Sequence, residues 1–509
     1  MRWWDRKSYS EGLWGVRNQL SAVAPPPPSS RRKQVFSALR WTAGSTIFNQ
    51  FVIFFRSLIV ARLLTPDAYG LFGMASVVLY AVTALTEFNL SSVIFTLQFD
   101  SEERRRSHLN TVWSSDLARR AFISLALLAL SYPASLYFRD PRLFGVLGIT
   151  AAIPFITGLT NVGLVQLQKD LAFRTYSVYL QATELITTVT AISVAWLTRD
   201  VWALVISQVV SACAGVALSY VLCSYRPRLE FDRESFRTSF RFGKHMFTIG
   251  VLTFVTTQFD NLVVGRYLGT ALLGAYMLAY RLANLPVDIV SSVSGLLLFP
   301  LYANVNREDA SALRGVVTRV VNSAATLLQL ILGPLGFCGS LLVSFVYGHK
   351  WDLATPYLAP LIFVGLFRGL TRSISPLFPA TNRPDIDSKG KMLETVLFVP
   401  LILFLVPVYG GMGAAWAGVT SYFVAYSFRI VMAIRLLQGG RELLKKLTIP
   451  LASGTAALLL AYAAGRAGAG AIGSALIFDL VLLSLVLWLD SALRMEFVQL
   501  AAVLRRPRK

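Results

Sequence analysis

FDNLVVGRYLGTALLGAYMLAYRLANLP, Phe259 to Pro286, sets Asp260, Arg281 and, just beyond, Asp288 within sequence otherwise apolar enough to span a bilayer. An Asp or Arg at the centre of a membrane helix costs about 2.5 to 3.5 kcal/mol on insertion scales, so such residues face a partner or a watery cavity rather than lipid. The stretch has an echo earlier in the chain. A shift of 204 positions lays VARLLTPDAYGLF, Val60 to Phe72, over VGRYLGTALLGAY, Val264 to Tyr276, matching Arg62 with Arg266, Leu64 with Leu268 and Gly70 with Gly274. It also carries Arg56 onto Asp260. A repeat of this kind in an apolar chain predicts two related lobes with a substrate site between them.

The rest of the composition agrees with a membrane setting. The 509 residues are 55% hydrophobic and 15% charged, with a mean hydropathy of +0.58, against about 25% charged in soluble domains. The net charge of +21 does not point to nucleic acid, because the basic residues sit in short segments between apolar runs. Cys213, Cys223 and Cys338 are far apart, and His108, His245 and His349 are isolated, so no metal or haem spacing exists. The first 35 residues hold no continuous apolar run that would make a cleavable signal. They contain PPPPSSRRK, and they are expected to form a disordered cytoplasmic tail.

From Leu39 onward, apolar segments of roughly 20 to 25 residues recur at the length needed to cross about 30 Å of hydrocarbon. The fold class expected is an all-α polytopic membrane protein with about fourteen transmembrane helices, near 39–62, 70–96, 118–138, 143–166, 175–197, 200–223, 242–265, 271–300, 315–347, 355–380, 392–409, 412–435, 447–465 and 470–490. The ninth reads as broken at Gly333-Pro334. With the N-terminus inside, 36 Lys and Arg fall on the cytoplasmic face and seven on the other, which fits both termini inside. The domains expected are a tail at 1–35, an N-lobe of six helices at 36–226, a C-lobe of six at 227–438, an added helix pair at 439–490 and a basic cytoplasmic tail at 491–509. The external connections are short, which leaves little room for an outer catalytic domain.

Polar residues fall into stripes along helical faces. Ser45, Asn49 and Arg56 share one face of the first helix. Thr253, Thr257 and Asp260 share one in the seventh, Arg281, Asn284, Asp288 and Ser292 one in the eighth, Gln181, Glu184 and Thr188 one in the fifth, and Arg368, Arg372 and Ser375 one in the tenth. Two readings stand for the charges. They are structural pairs locking helices together, or they line a central cavity whose arginines, Arg56, Arg281, Arg368 and Arg372, with Asn49 and Asn284, hold an anionic head group through guanidinium forks. Arg368 and Arg372 favour the cavity, having no acid nearby in sequence. Glu87 and Arg429 read as snorkelling residues near cytoplasmic ends. Gly410 to Gly418, GGMGAAWAG, reads as a close helix-packing surface. No Walker A sequence, paired-carboxylate motif or nucleophile elbow appears, which argues against ATP hydrolysis or covalent chemistry, and no cofactor is expected.

LIVARLLTPDAYGLFGMASV, Leu58 to Val77, with the opening stretch and LFPLYANV, Leu298 to Val305, resemble signatures of bacterial polysaccharide transporters. These are the Wzx-type oligosaccharide flippases of the multidrug/oligosaccharidyl-lipid/polysaccharide superfamily, and the resemblance covers roughly 36 to 490. EFNL, Glu87 to Leu90, departs from the DLGL of many relatives. The resemblance implies a V-shaped, MATE-like pair of six-helix bundles plus two helices in the cell inner membrane. It further implies transfer of undecaprenyl-pyrophosphate-linked oligosaccharide repeat units to the outer leaflet for exopolysaccharide, capsule or O-antigen synthesis, alongside a polymerase and export machinery. The expected mechanism is alternating access, with Glu184, Asp260 or Asp288 as the coupling acid. A drug or metabolite antiporter is the alternative on the same architecture, and a membrane glycosyltransferase or polymerase is the reading from another class.

Overall fold

The computed structural model describes residues 44, 48–87, 101–170, 172–308, 310–438 and 440–489. The two expected tails, Ser45 and the last three residues of EFNL lie outside them, as does the side chain of Ser292. Every regular element among the described residues is helical.

Helix α1 covers 48–63. The chain then turns within two residues, because Thr65 Oγ1 accepts the Ala68 N–H at 3.2 Å and Pro66 takes the first helical position, where no N–H is needed. That starts α2, Pro66–Ala84. Ser101 caps α3, Glu102–Phe138, in the same way. Phe122, Leu125, Leu128, Tyr132 and Leu136 are exposed along one side of α3, an apolar stripe suited to lipid rather than water.

The next span departs from expectation. In place of one helix over 143–166 there are α4 (Arg142–Thr150), α5 (Ala152–Gly158) and α6 (Gly163–Lys169), bent by 59° before the last. Asn161 makes the bend: its Oδ1 accepts the Gly163 N–H at 2.8 Å, opening a new helix, and its Nδ2 donates to the Tyr225 carbonyl at 2.6 Å. Helices α7 (Phe173–Thr198) and α8 (Trp202–Leu222) follow as single spans.

Helix α9, Arg233–Glu308, reverses at Gly269, whose φ of 79° is open to glycine and strained for other residues. Tyr276 Oη donates to Asp260 at 3.0 Å across sixteen residues, where a straight helix would hold them about 24 Å apart. Helix α10, Ala310–Leu342, runs through Pro334 instead of breaking there. The ring of Phe478 lies against Gly333 so closely that a Cβ would fall 2.0 Å from it, and this packing holds the helix through the proline. The break comes later, at Val343–Tyr347 and Gly348, φ 93°. A short turn, His349–Ala354, leads into α11, Thr355–Ile374, and the one-turn α12, Leu377–Ala380.

Helix α13, Pro384–Leu436, reverses at Gly410, φ 59°. Sequence reading gave that glycine to helix packing, but its backbone makes the turn. Helices α14 (Gly440–Ala464) and α15 (Gly470–Leu489) are joined through Gly468 and Gly470, both at positive φ. Among the described residues nine helical segments are long and apolar enough to cross a membrane, or ten with the bent pair. The chain is a multi-pass membrane protein.

The most extensive meeting of distant elements is between α2 and α9. A Cβ on Gly70 would lie 1.7 Å from the Thr270 carbonyl oxygen, and one on Gly274 would lie 2.0 Å from that of Pro66. The shift of 204 that matches Gly70 to Gly274 also matches Pro66 to Thr270, so the contact is reciprocal. Beside it, the Asp67 carboxylate accepts from Thr270 Oγ1 and from Arg142, at 2.7 and 3.0 Å for the latter. At the same end the carbonyls closing α1 are capped from far along the chain: Trp351 Nε1 donates to Ala61 O and Lys350 Nζ to Arg62 O, both at 2.7 Å.

Candidate functional site

A cavity of about 360 Å³ opens between α1, both limbs of α9, and α11. Gln50, Ile53 and Phe54 form its α1 wall, at the three- and four-residue spacing of one helical face. Thr257 and Gln258 come from the first limb of α9 and Tyr280, Arg281, Asn284 and Asp288 from the second. Arg368 of α11 closes the ring.

Arg368 is held by neutral groups. Its Nη1 donates to Tyr280 Oη at 2.9 Å and Asn284 Oδ1 at 3.0 Å. Asn284 is itself oriented by donating Nδ2 to the Tyr280 carbonyl at 2.8 Å, so one edge of the guanidinium is fixed. No acid lies within ion-pair distance of Arg368 or Arg281 among the described residues. The remaining N–H groups of these two arginines suit an anion brought into the cavity.

The other expected site residues sort differently. Arg56 meets Glu184 at 2.6 Å, both side chains one-fifth exposed, which joins α1 to α7. Arg372 lies 3.8 Å from Asp288 in a long, half-exposed pair. Asn49 sits half-buried, its Oδ1 without a hydrogen-bond partner. Neither Asn49, Arg56 nor Arg372 lines the cavity. Asp260 is 5% exposed and touches no cation; it accepts from Tyr276 Oη at 3.0 Å and from the Asn261 N–H at 2.9 Å. Tyr276 and Tyr280 rings are 6.4 Å apart, so two tyrosines stand between the buried carboxylate and Arg368.

Arg429 requires a correction. Read as a snorkelling residue, it is only 2% exposed, donating Nε to Asp387 Oδ1 at 2.8 Å and Nη2 to the Asp387 carbonyl at 3.3 Å. Ser375 Oγ donates to the same carboxylate at 2.7 Å. Gly390 makes room, since a Cβ there would fall 2.7 Å from Arg429 Cζ. Glu394, equally buried, pairs with Lys391 at 2.7 Å. Sequence reasoning also passed over Tyr276 and Tyr280, although both stand at four-residue spacing on the stripe of Asn284 and Asp288. No group of three or more metal-ligating side chains is gathered among the described residues.

Comparison with known proteins places this geometry. The chain is 23% identical over 449 residues to the lipopolysaccharide biosynthesis protein WzxC of Escherichia coli (strain K12), covering 86% of this chain and 88% of that one. It is 26% identical over 355 residues to the succinoglycan biosynthesis transport protein ExoT of Rhizobium meliloti (strain 1021), covering 69% and 70%. Among solved structures it resembles the lipid II flippase MurJ in its inward closed conformation, with a TM-score of 0.67 and 16% identity over 88% of this chain and 98% of that one. A multidrug resistance MATE family transporter, inward-facing, matches with a TM-score of 0.56 and 15% identity over 77% and 96%. The family model described as "Polysaccharide biosynthesis protein" matches residues 59–356, more than half of the sequence, and the chain belongs to that family.

Proposed function

We propose that the protein flips lipid-linked oligosaccharide repeat units across the cytoplasmic membrane for surface polysaccharide synthesis. The observation that carries this reading is the cavity flanked by Arg281 and Arg368, two guanidinium groups without an acidic partner among the described residues. At about 360 Å³ it lies at the small end of ligand sites. It suits a pyrophosphate and the adjoining sugar, while a polyprenyl tail stays in lipid. The form of the substrate proposed is undecaprenyl-pyrophosphate-linked; the names of WzxC and ExoT support a role in polysaccharide synthesis. The protein is a transporter rather than an enzyme. A cationic-drug antiporter gains less support, because the lining offers one carboxylate, Asp288, against two unpaired arginines.

Fourteen crossings with both termini inside, arranged as two six-helix halves (36–226 and 227–438) and a pair at 439–490, are part of the proposal. The reversals at Gly269, Gly410 and Gly468–Gly470, the reciprocal Gly70 and Gly274 contacts and the alternation of basic loops support it. Alternating access would be driven by an ion gradient, with Asp260 as the coupling acid, since Glu184 and Asp288 each already face an arginine.

The test is a deletion strain complemented with Arg368→Gln or Arg281→Gln. A charge-assisted hydrogen bond is worth about 1.5 to 3 kcal/mol, so each variant is expected to lower transport about tenfold or more at normal membrane level. Lipid-linked repeats should build up on the cytoplasmic face. Intact surface polysaccharide in the deletion strain, with altered sensitivity to cationic compounds, would overturn the reading in favour of an antiporter.

A further inference from the structure

A second cavity, of about 860 Å³, lies away from the first, between the beginning of α3 and the segment 223–232 that follows α8. That segment is extended and fastened along α3 by hydrogen bonds to its backbone. The Arg228 N–H donates to Asn110 Oδ1 at 3.1 Å, the Glu230 N–H to Ser114 Oγ at 3.1 Å and the Asp232 N–H to Thr111 Oγ1 at 3.0 Å. Tyr225 Oη adds a bond to Asn110 Oδ1 at 2.6 Å. The Glu230 carboxylate accepts from Ser107 Oγ at 2.5 Å and Asn110 Nδ2 at 2.7 Å, and these bonds hold it below the usual carboxylate range. The backbone of the strap is thereby fastened along α3, with the Glu230 carboxylate held in place.

Four arginines, Arg104, Arg106, Arg226 and Arg228, line this cavity against Glu103 and Glu230. Glu230 already accepts two side-chain bonds and Arg106 pairs with Glu102 at 3.4 Å, whereas no acid pairs with Arg226 or Arg228 among the described residues. In an extended segment successive side chains alternate. Arg226, Arg228 and Glu230 line the cavity, while Leu229 (77%) and Phe231 (64%) are among the most exposed apolar residues described. A cationic cavity edged by exposed apolar side chains, at the end of a membrane helix, has the chemistry of the boundary between head groups and acyl chains.

We propose that this strap is a docking site for an anionic membrane phospholipid. Its phosphate enters between Arg226 and Arg228, and its acyl chains lie against Leu229 and Phe231. By the distribution of basic loops the leaflet is the cytoplasmic one. The site is distinct from the transport cavity, and its test does not depend on the flippase reading.

The experiment uses full-length protein in mixed micelles of dodecyl maltoside doped with equal phosphatidylglycerol and phosphatidylcholine, with retained lipid counted after purification. Wild type is expected to enrich phosphatidylglycerol. Arg226→Gln and Arg228→Gln should each reduce the enrichment about fivefold, while Arg233→Gln, outside the cavity, leaves it unchanged. Arg228→Lys, which keeps the charge, should retain most of it. Equal retention of the two lipids by wild type would overturn the proposal without recourse to any variant. So would unchanged enrichment in folded Arg226→Gln/Arg228→Gln protein, or displacement of the lipid by inorganic phosphate at the same concentration, which would mark a site for soluble anions.

Discussion

Replacing Gly70 by alanine tests whether the crossing of α2 and α9 closes one face of the protein. The new Cβ would stand 1.7 Å from the Thr270 carbonyl oxygen, against a floor near 3.0 Å for real Cβ contacts. The helices must therefore part by about 1.3 Å, and the obstacle is backbone that cannot rotate away. Overpacking of this kind costs about 1 to 3 kcal/mol. In a protein that alternates between two states the penalty falls on the state in which the helices touch, so the equilibrium shifts about 5- to 150-fold toward the state in which they separate. Gly274→Ala should behave alike, because its Cβ meets Pro66 O at 2.0 Å. Thr257→Cys, in the cavity between α1, α9 and α11, reports the shift when Cys213, Cys223 and Cys338 are replaced by serine and an impermeant maleimide is applied from outside. Labelling should accelerate at least about fivefold in either glycine variant. Gly145→Ala is the control, with nothing within 4 Å of its Cβ. Folded Gly70→Ala protein that labels no faster than this control would refute the idea that the crossing is a gate.

Three further outcomes are expected. Trp351→Phe and Lys350→Met each strip a donor from the carbonyls that end α1, so each should push labelling the same way by about 1 kcal/mol, or roughly fivefold. In the Arg429–Asp387 pair, Asp387→Asn should lower thermal stability by more than Arg429→Met, because Arg429 is 2% exposed and Asp387 39%; removing the acid strands the buried charge, while removing the base leaves a carboxylate that water can reach. Arg56→Gln should reduce membrane levels by uncovering Glu184, and Arg56→Gln/Glu184→Gln should restore them; restored transport in the double variant marks the pair as structural, and restored protein without transport marks the pair as functional.

That the chain is helical and crosses a membrane many times was legible in the sequence because bilayer thickness sets a length that apolar runs must meet, and the stripe of Arg281, Asn284 and Asp288 was legible because helical spacing is local. What could not be read was which distant group each charge meets. Arg372 has no acid near it in sequence, yet folding brings Asp288 to 3.8 Å. Arg429 seemed able to reach water, yet Gly390 lets it lie across the first limb of α13. Pro334 looked like a break because its missing N–H is a local property, whereas the Phe478 ring that supports the helix there comes from far along the chain. The α13 reversal was legible as the gap between the apolar runs 392–409 and 412–435, but that Gly410 makes it at positive φ was not, since composition does not distinguish a small side chain from a positive φ.

The intramembrane arginines then differ in a way that bears on function. Arg56 and Arg429 each have a carboxylate at 2.6 to 2.8 Å, and neither can serve a substrate without breaking a pair whose loss costs about 3 to 5 kcal/mol when buried. Among the described residues Arg281 and Arg368 have no such partner, and Arg368 donates to a tyrosine hydroxyl and an amide oxygen. A guanidinium kept without a counter-charge in low dielectric lowers stability, so stability does not explain its presence. An anion that arrives and leaves does, because it neutralises the charge only while bound. If that is the role of the two residues, Arg281→Gln/Arg368→Gln should abolish transport while leaving the melting temperature equal to wild type or higher. A structural pair never shows that combination.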